Sequence, residues 1–377
     1  MKRILTLFLL ICLPLTVMSQ QHSRLRDLGI EIGHFKPGKN NAITDVPGVK
    51  VGHSTLILGK NVRTGVTAIL PHNGNIFQEK VPAAIYVGNG FGKLTGISQI
   101  RELGNLETPI ILTNTLSVPV AYHSLISYTM NQPGNENVKS VNPVVGETND
   151  GFLNDIRGMH VKDKHVMEAI NSAESGVVQQ GNAGAGTGTS CFGYKGGIGT
   201  SSRVVSDGDK TYILGVLVQT NFGGSLEIAG VQVGRVLQKA HLSDSLPGND
   251  SGGSCMIIVA TDAPFDARNL ERLARRAIWG MAKTGTDGSN GSGDYVIAFS
   301  TVNRVPYKSD HGILYQEVLH NDFTNSLFDA VIEATEEAIL NSLFQASDMT
   351  GFQGNSRKML PIDEVLKILE QNKRISK

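Results

Sequence analysis

The chain has 377 residues, with 34 Lys plus Arg balanced by 34 Asp plus Glu and a formal net charge of zero. That balance excludes a chain-wide basic field for nucleic acid, and no Lys/Arg run is interleaved with aromatics. The length admits two domains, but a single α/β domain with a sizeable core fits equally well.

The first 19 residues read as an export signal. Lys2 and Arg3 lead, residues 4–17 are apolar, and Val17-Met18-Ser19 is a small-residue cleavage site. A membrane anchor is the competing reading. The run is short for a span, however, and polar Gln20, Gln21, His22 and Ser23 follow it directly. No later stretch is long and apolar enough to span a bilayer, so the expectation is a soluble periplasmic or secreted protein.

From Ala42 onward, short β-rich runs alternate with turns. Asp45-Val46-Pro47-Gly48 is a turn, and residues 49–53, 65–70, 83–87 and 109–113 read as strands. Helical spacing of apolar residues predicts a helix over 117–130. Residues 212–219 read as a strand. An amphipathic helix is expected over 225–241, with Leu226, Ala229, Val233, Val236 and Leu237 on one face. Residues 242–253 have the composition of a flexible linker.

The linker stops at Ser254, and residues 255–260 form a continuous apolar strand of the buried kind. Helices are then predicted over 266–283 and 322–345, with a last one opening at Pro361. Between the first two lie a Gly/Ser loop and a strand over 294–299. The mixture favours layered sheets and helices over a bundle or a β-sandwich.

Chemistry concentrates at Gly252-Gly253-Ser254. A Ser hydroxyl can attack the carbonyl of the residue before it, and Gly there offers no side chain to block the attack. Cleavage would leave Ser254 as a new N-terminus, whose α-amine has a reference pKa of about 7.7–8.0. Nucleophile and base would then share one residue. The plain alternative is a loop entering a strand.

Ser292 precedes Asp294 by two positions, a spacing suited to a carboxylate orienting a hydroxyl. Asn221, at the end of a strand, is a candidate oxyanion donor. Glu147, in a loop, is a candidate anion for a substrate ammonium.

The Gly-rich stretch from Gly181 to Thr200 lacks the Gly-Lys-Ser/Thr order of a phosphate loop at Lys195, so backbone lining a cleft is the better reading. His53, His72, His160 and His165 are scattered, with no metal-ligand spacing. Cys191 and Cys255 remain after signal removal. They read as buried small hydrophobes, with a disulfide as the alternative in an exported protein.

Several of these segments, taken in order, resemble the self-cleaving L-aminopeptidase/D-esterase family, which includes the β-peptidyl aminopeptidases. They are 41–53, 63–66, 147–155, 181–203, 218–223, 253–264 and 291–301, spread over nearly the whole mature chain. The resemblance implies an α/β (α+β) fold, a four-layer α-β-β-α sandwich like that of N-terminal-nucleophile hydrolases but differently connected. It implies one catalytic domain cut at Gly253-Ser254 into fragments 20–253 and 254–377, which stay associated and assemble as a tetramer of pairs, with no cofactor.

It further implies Ser254 as nucleophile, Ser292 as assisting serine, Asp294 as its acidic support, Asn221 as oxyanion donor and Glu147 as the ammonium contact. Asn149 stands where some members carry an aromatic residue, which puts a tyrosine role there in doubt. The rival readings are an acyltransferase on the same fold, resembling ornithine acetyltransferases, and a non-enzymatic exported binding protein.

Overall fold

Nine strands of five residues or more make up the two main sheets of this computed structural model, which describes residues 23–208, 210–240, 253–309 and 311–375. The export segment and nearly all of the linker lie outside the described residues. In chain order the strands are β1 (Lys50–Leu58), β2 (Val62–Leu70), β3 (Glu79–Gly90), β4 (Ile110–Asn114), β5 (Val144–Thr148), β6 (Ile198–Asp207), β7 (Lys210–Asn221), β8 (Ser254–Thr261) and β9 (Gly293–Ser300).

The smaller sheet runs β1-β2-β4-β5 and the larger runs β3-β9-β8-β7-β6, with short edge pieces on β3. The α-helices among the described residues are α1 (Ile97–Leu103), α2 (Val118–Met130), α3 (Asp163–Asn171), α4 (Val233–Ala240), α5 (Ala267–Ala282), α6 (Asn325–Phe344) and α7 (Ile362–Gln371), with short 3-10 turns and two-residue strand pairs between them.

Strand periodicity assigns the layers, because successive side chains point to opposite faces. On β8, Cys255, Ile257 and Val259 join a core with α5 and α6 residues such as Leu270, Ala277, Ala334 and Ile339. Met256, Ile258 and Ala260 join a second core with Leu112 and Val144 of the small sheet. On the small sheet's other face, Val66, Ala68 and Ile111 pack on Val118, Ala121 and Val166 of α2 and α3. The order is helices, sheet, sheet, helices, the four-layer sandwich expected. All eight residues of β8 are buried, as its unbroken apolar run requires.

One helix differs from its sequence pattern. The helix expected over 225–241 begins only at Val233. Ahead of it the Ser225 and Glu227 N–H groups donate to Gly285 O and Thr284 O, at 2.9 and 2.8 Å, which ties this segment to the loop after α5. Ala229 and Gly230 both take positive φ, which breaks a helix.

Topology places the strand ends. β8 and β9 are parallel and joined through α5, so their N-terminal heads lie side by side, with Ser254 paired to Gly293. β7 runs antiparallel to β8, which brings its last residue, Asn221, opposite Ser254. β3 runs antiparallel to β9, and its end, Gly90, faces Gly293. The register between β3 and β9 slips at Asp294/Tyr295, an irregularity of the kind that re-aims side chains near functional sites.

Candidate active site

Ser254 shares a face with Met256 and Ile258, so its hydroxyl belongs to the space between the sheets. The Oγ donates to the carbonyl oxygen of Gly253 at 2.6 Å. The same carbonyl accepts the Gly293 N–H at 3.0 Å. A Cβ on Gly253 would lie 3.0 Å from Phe222 Cβ and 3.3 Å from Ser292 Oγ, so glycine leaves this carbonyl approachable and puts the second serine beside it.

Ser292 Oγ donates to Asp294 Oδ1 at 2.7 Å, and both residues are buried. Burial pushes the Asp294 carboxyl above its ordinary range, while the bonds from Ser292 and the Cys255 backbone partly oppose the shift. The loop before β9 is held from outside. Asn89 Nδ2 donates to Ser289 O and Ser292 O at 2.9 and 2.7 Å, and Phe91 N–H donates to Ser292 O at 3.1 Å.

Asn221 is oriented at both ends. Its Oδ1 accepts from Ser190 N–H at 3.1 Å and its Nδ2 donates to Asn149 O at 3.0 Å. The first partner is a donor and the second an acceptor, so the amide has one orientation and keeps one N–H hydrogen free. Asn149 thus contributes its backbone. Its side chain closes a local turn onto Gly151 N–H at 2.9 Å.

Glu147 is buried at the end of β5. Its Oε1 accepts Lys93 N–H at 2.9 Å, with the Lys93 ammonium 3.9 Å away, and its Oε2 accepts from Thr115 Oγ1. Tyr295 closes in: a Cβ on Gly92 would lie 3.2 Å from the Tyr295 ring and 3.3 Å from Glu147 Oε1. Burial raises the Tyr295 phenol, and Glu147 and Asp294 add to the shift. Met256, two residues along β8 from Ser254, abuts Gly146, which ties the Glu147 strand to the Ser254 strand.

The structure therefore gathers Ser254, Ser292, Asp294 and Asn221 at adjoining strand ends, with Glu147 on the neighbouring sheet. Sequence reasoning did not single out Asn89, Lys93, Thr115 or Tyr295. The signal for Asn89 was an amide between two glycines at a strand end. The others had no local mark, because their partners are distant in sequence. Among the described residues, no group of three or more His, Cys, Asp or Glu is arranged to hold a metal. Cys191 and Cys255 are free, buried thiols.

The four-layer sandwich matches, chain over chain, a solved aminopeptidase whose structure is described as a variant of the Ntn hydrolase fold. The model of peptidase family S58 matches residues 41–357, and the chain belongs to that family of hydrolases. It is 42% identical over 383 residues to the β-peptidyl aminopeptidase BapA of Sphingosinicella microcystinivorans, covering 95% of this chain and 94% of that one.

Among solved structures, the PH0078 protein from Pyrococcus horikoshii OT3 is 49% identical, with a TM-score of 0.87 over 93% of this chain and 99% of its own. The L-aminopeptidase D-Ala-esterase/amidase from Ochrobactrum anthropi, described as a new variant among the Ntn hydrolase fold, is 37% identical. Its TM-score is also 0.87, over 94% of this chain and 99% of its own.

Proposed function

We propose that this protein is an exported serine aminopeptidase that cuts itself once, between Gly253 and Ser254, and then removes N-terminal residues from small peptides, amides or esters. One observation carries the reading: a hydroxyl at the head of a buried central strand lies 2.6 Å from the carbonyl oxygen of the residue before it. That carbonyl already holds a backbone donor, the Gly293 N–H.

In self-cleavage, Ser254 Oγ attacks the Gly253 carbonyl carbon. Ser292, oriented by Asp294, relays the hydroxyl proton to the Ser254 nitrogen as the C–N bond breaks. The Gly293 N–H faces the oxyanion on Gly253. Water then hydrolyses the ester, releasing the Gly253 carboxylate and the Ser254 amine.

In turnover, Ser254 attacks the substrate carbonyl. Its proton passes through the α-amine or Ser292 to the leaving amine, and the spare Asn221 N–H faces the oxyanion. Glu147 receives the substrate ammonium. Water completes the cycle, and no cofactor enters.

The names of the Sphingosinicella relative and of a Burkholderia sp. β-aminopeptidase, 40% identical, favour β-amino residues at the cleaved end. The charged and apolar start of the chain supports export to the periplasm or beyond. The resemblance supports two associated fragments, 20–253 and 254–377, in a tetramer of pairs.

Intact mass and N-terminal sequencing of the purified protein test the reading. Two fragments are expected, the smaller beginning Ser254-Cys255-Met256, with hydrolysis of aminoacyl and β-aminoacyl amides. A single uncut chain would sink the assignment of Ser254.

A further inference from the structure

We infer that Lys195 is a positioning residue that sets the Asn221 amide for turnover, acting through the Gly-rich limb that ends at Ser190. The inference rests on the oxyanion role proposed for Asn221.

Lys195 is fully buried. Its ammonium donates to Gly186 O at 2.9 Å and to Gly196 O at 2.6 Å. Among the described residues no carboxylate pairs with it, so its two acceptors are backbone carbonyls. Each carbonyl leads to the end of β7. Gly186 O also accepts Thr189 Oγ1 at 3.2 Å, and the next residue, Ser190, gives its N–H to Asn221 Oδ1 at 3.1 Å.

Gly196 precedes Gly197, whose N–H donates to Thr220 Oγ1 at 3.1 Å and whose carbonyl accepts Thr220 N–H at 3.0 Å. Lys195 is also the cross-strand partner of Ser190 in a two-residue hairpin. At the turn of that hairpin, Phe192 N–H donates to Phe222 O at 2.8 Å. One ammonium thus fastens both limbs that grip Thr220, Asn221 and Phe222.

Burying an ammonium without a counter-ion is costly, and a methyl-terminated chain of similar length would fill the volume more cheaply. Burial lowers the Lys195 pKa to about 7, with Cys191 opposing the shift. A neutral amine has two hydrogens for two carbonyls, so the clamp survives loss of the proton. What the lysine adds over an apolar residue is two donors aimed at the limbs beside Asn221.

The test is a double-mutant cycle of K195M and N221A, with kcat and KM measured per cleaved chain and the cleaved fraction taken from intact mass. K195M is expected to lower kcat by about ten- to a hundredfold, with KM within about twofold, as a misaimed donor would. In the N221A background K195M should cost less than about twofold, because the group it positions is gone. Equal losses in both backgrounds, or a fall in melting temperature with kcat intact, overturn the inference.

If K195M yields no folded protein, K195Q enters the same cycle and the same outcomes decide. N221A alone separates the two levels. If it retains wild-type kcat, the role of Asn221 fails. If it loses kcat but the cycle is additive, only the role of Lys195 fails.

Discussion

Two polar interiors of the molecule are built on different principles. Behind β6, Arg203 bridges Glu333 and Glu337 of α6 at 3.3 and 2.7 Å, and Glu337 also takes Arg26 at 2.9 Å and Asn41 Nδ2 at 2.6 Å. Every charge there has an opposite charge. Around the site, Lys195 holds only carbonyls among the described residues, and Asp150 is fully buried with hydrogen-bond partners but no cation. Burial raises the Asp150 carboxyl to about 7, against the bonds from Thr64, Asn154 and Asn114. Paired charges fasten a helix to a sheet at little electrostatic strain. Unpaired ones stay poised, and both flank the two groups that aim Asn221, namely Ser190 and Asn149.

Four measurements sharpen that contrast. The largest effect belongs to S254A, which should stay one chain by intact mass and lose about 10⁴-fold or more in amide hydrolysis, with its melting temperature nearly unchanged. R203A should do the reverse. Leaving Glu333 and Glu337 buried without their shared cation should cost about 3–5 kcal/mol in urea unfolding, while any folded fraction keeps its turnover.

D294N comes next, with an expected loss of about 10–100-fold in kcat. Because burial holds the Asp294 pKa above the usual carboxylate range, activity should fall with acid as pH drops through that raised value. The D294N profile should lack that limb, and an unchanged acid limb would assign it elsewhere.

The last measurement is D150N, whose effect is confined to a pH window. A raised carboxyl pKa means the folded state binds this proton more tightly than the unfolded chain does. The Asp150 contribution to stability should therefore fall between about pH 4 and pH 7 and stay level above. Melting temperatures of wild type minus D150N across that window should decline with pH, and a flat difference would mean that Asp150 finds a cation in solution.

Much of the site was legible because its parts lie in short unusual segments. Ser254 was marked by a Gly pair meeting an unbroken apolar strand, and Ser292 by a carboxylate two residues on. Asn221 stood at the end of a strand whose apolar run was plain. Thr115 and Lys195 carried no such mark, since a buried lysine and an exposed one are spelled alike. The helix expected over 225–241 failed for a similar reason. Its apolar spacing was real, but positive φ at Ala229 and Gly230 breaks the helix there.

Local periodicity, then, was enough to define the buried strand, the helices at 118–130, 267–282 and 325–344, and the chemistry available at Ser254. Those features depend on neighbours within a few residues, which any single sequence displays. The meeting of Asn221, Ser254, Ser292 and Asp294 depended on pairing directions and register between strands far apart in the chain. Parallel heads and antiparallel tails share one end of a sheet only after the crossover helix has packed.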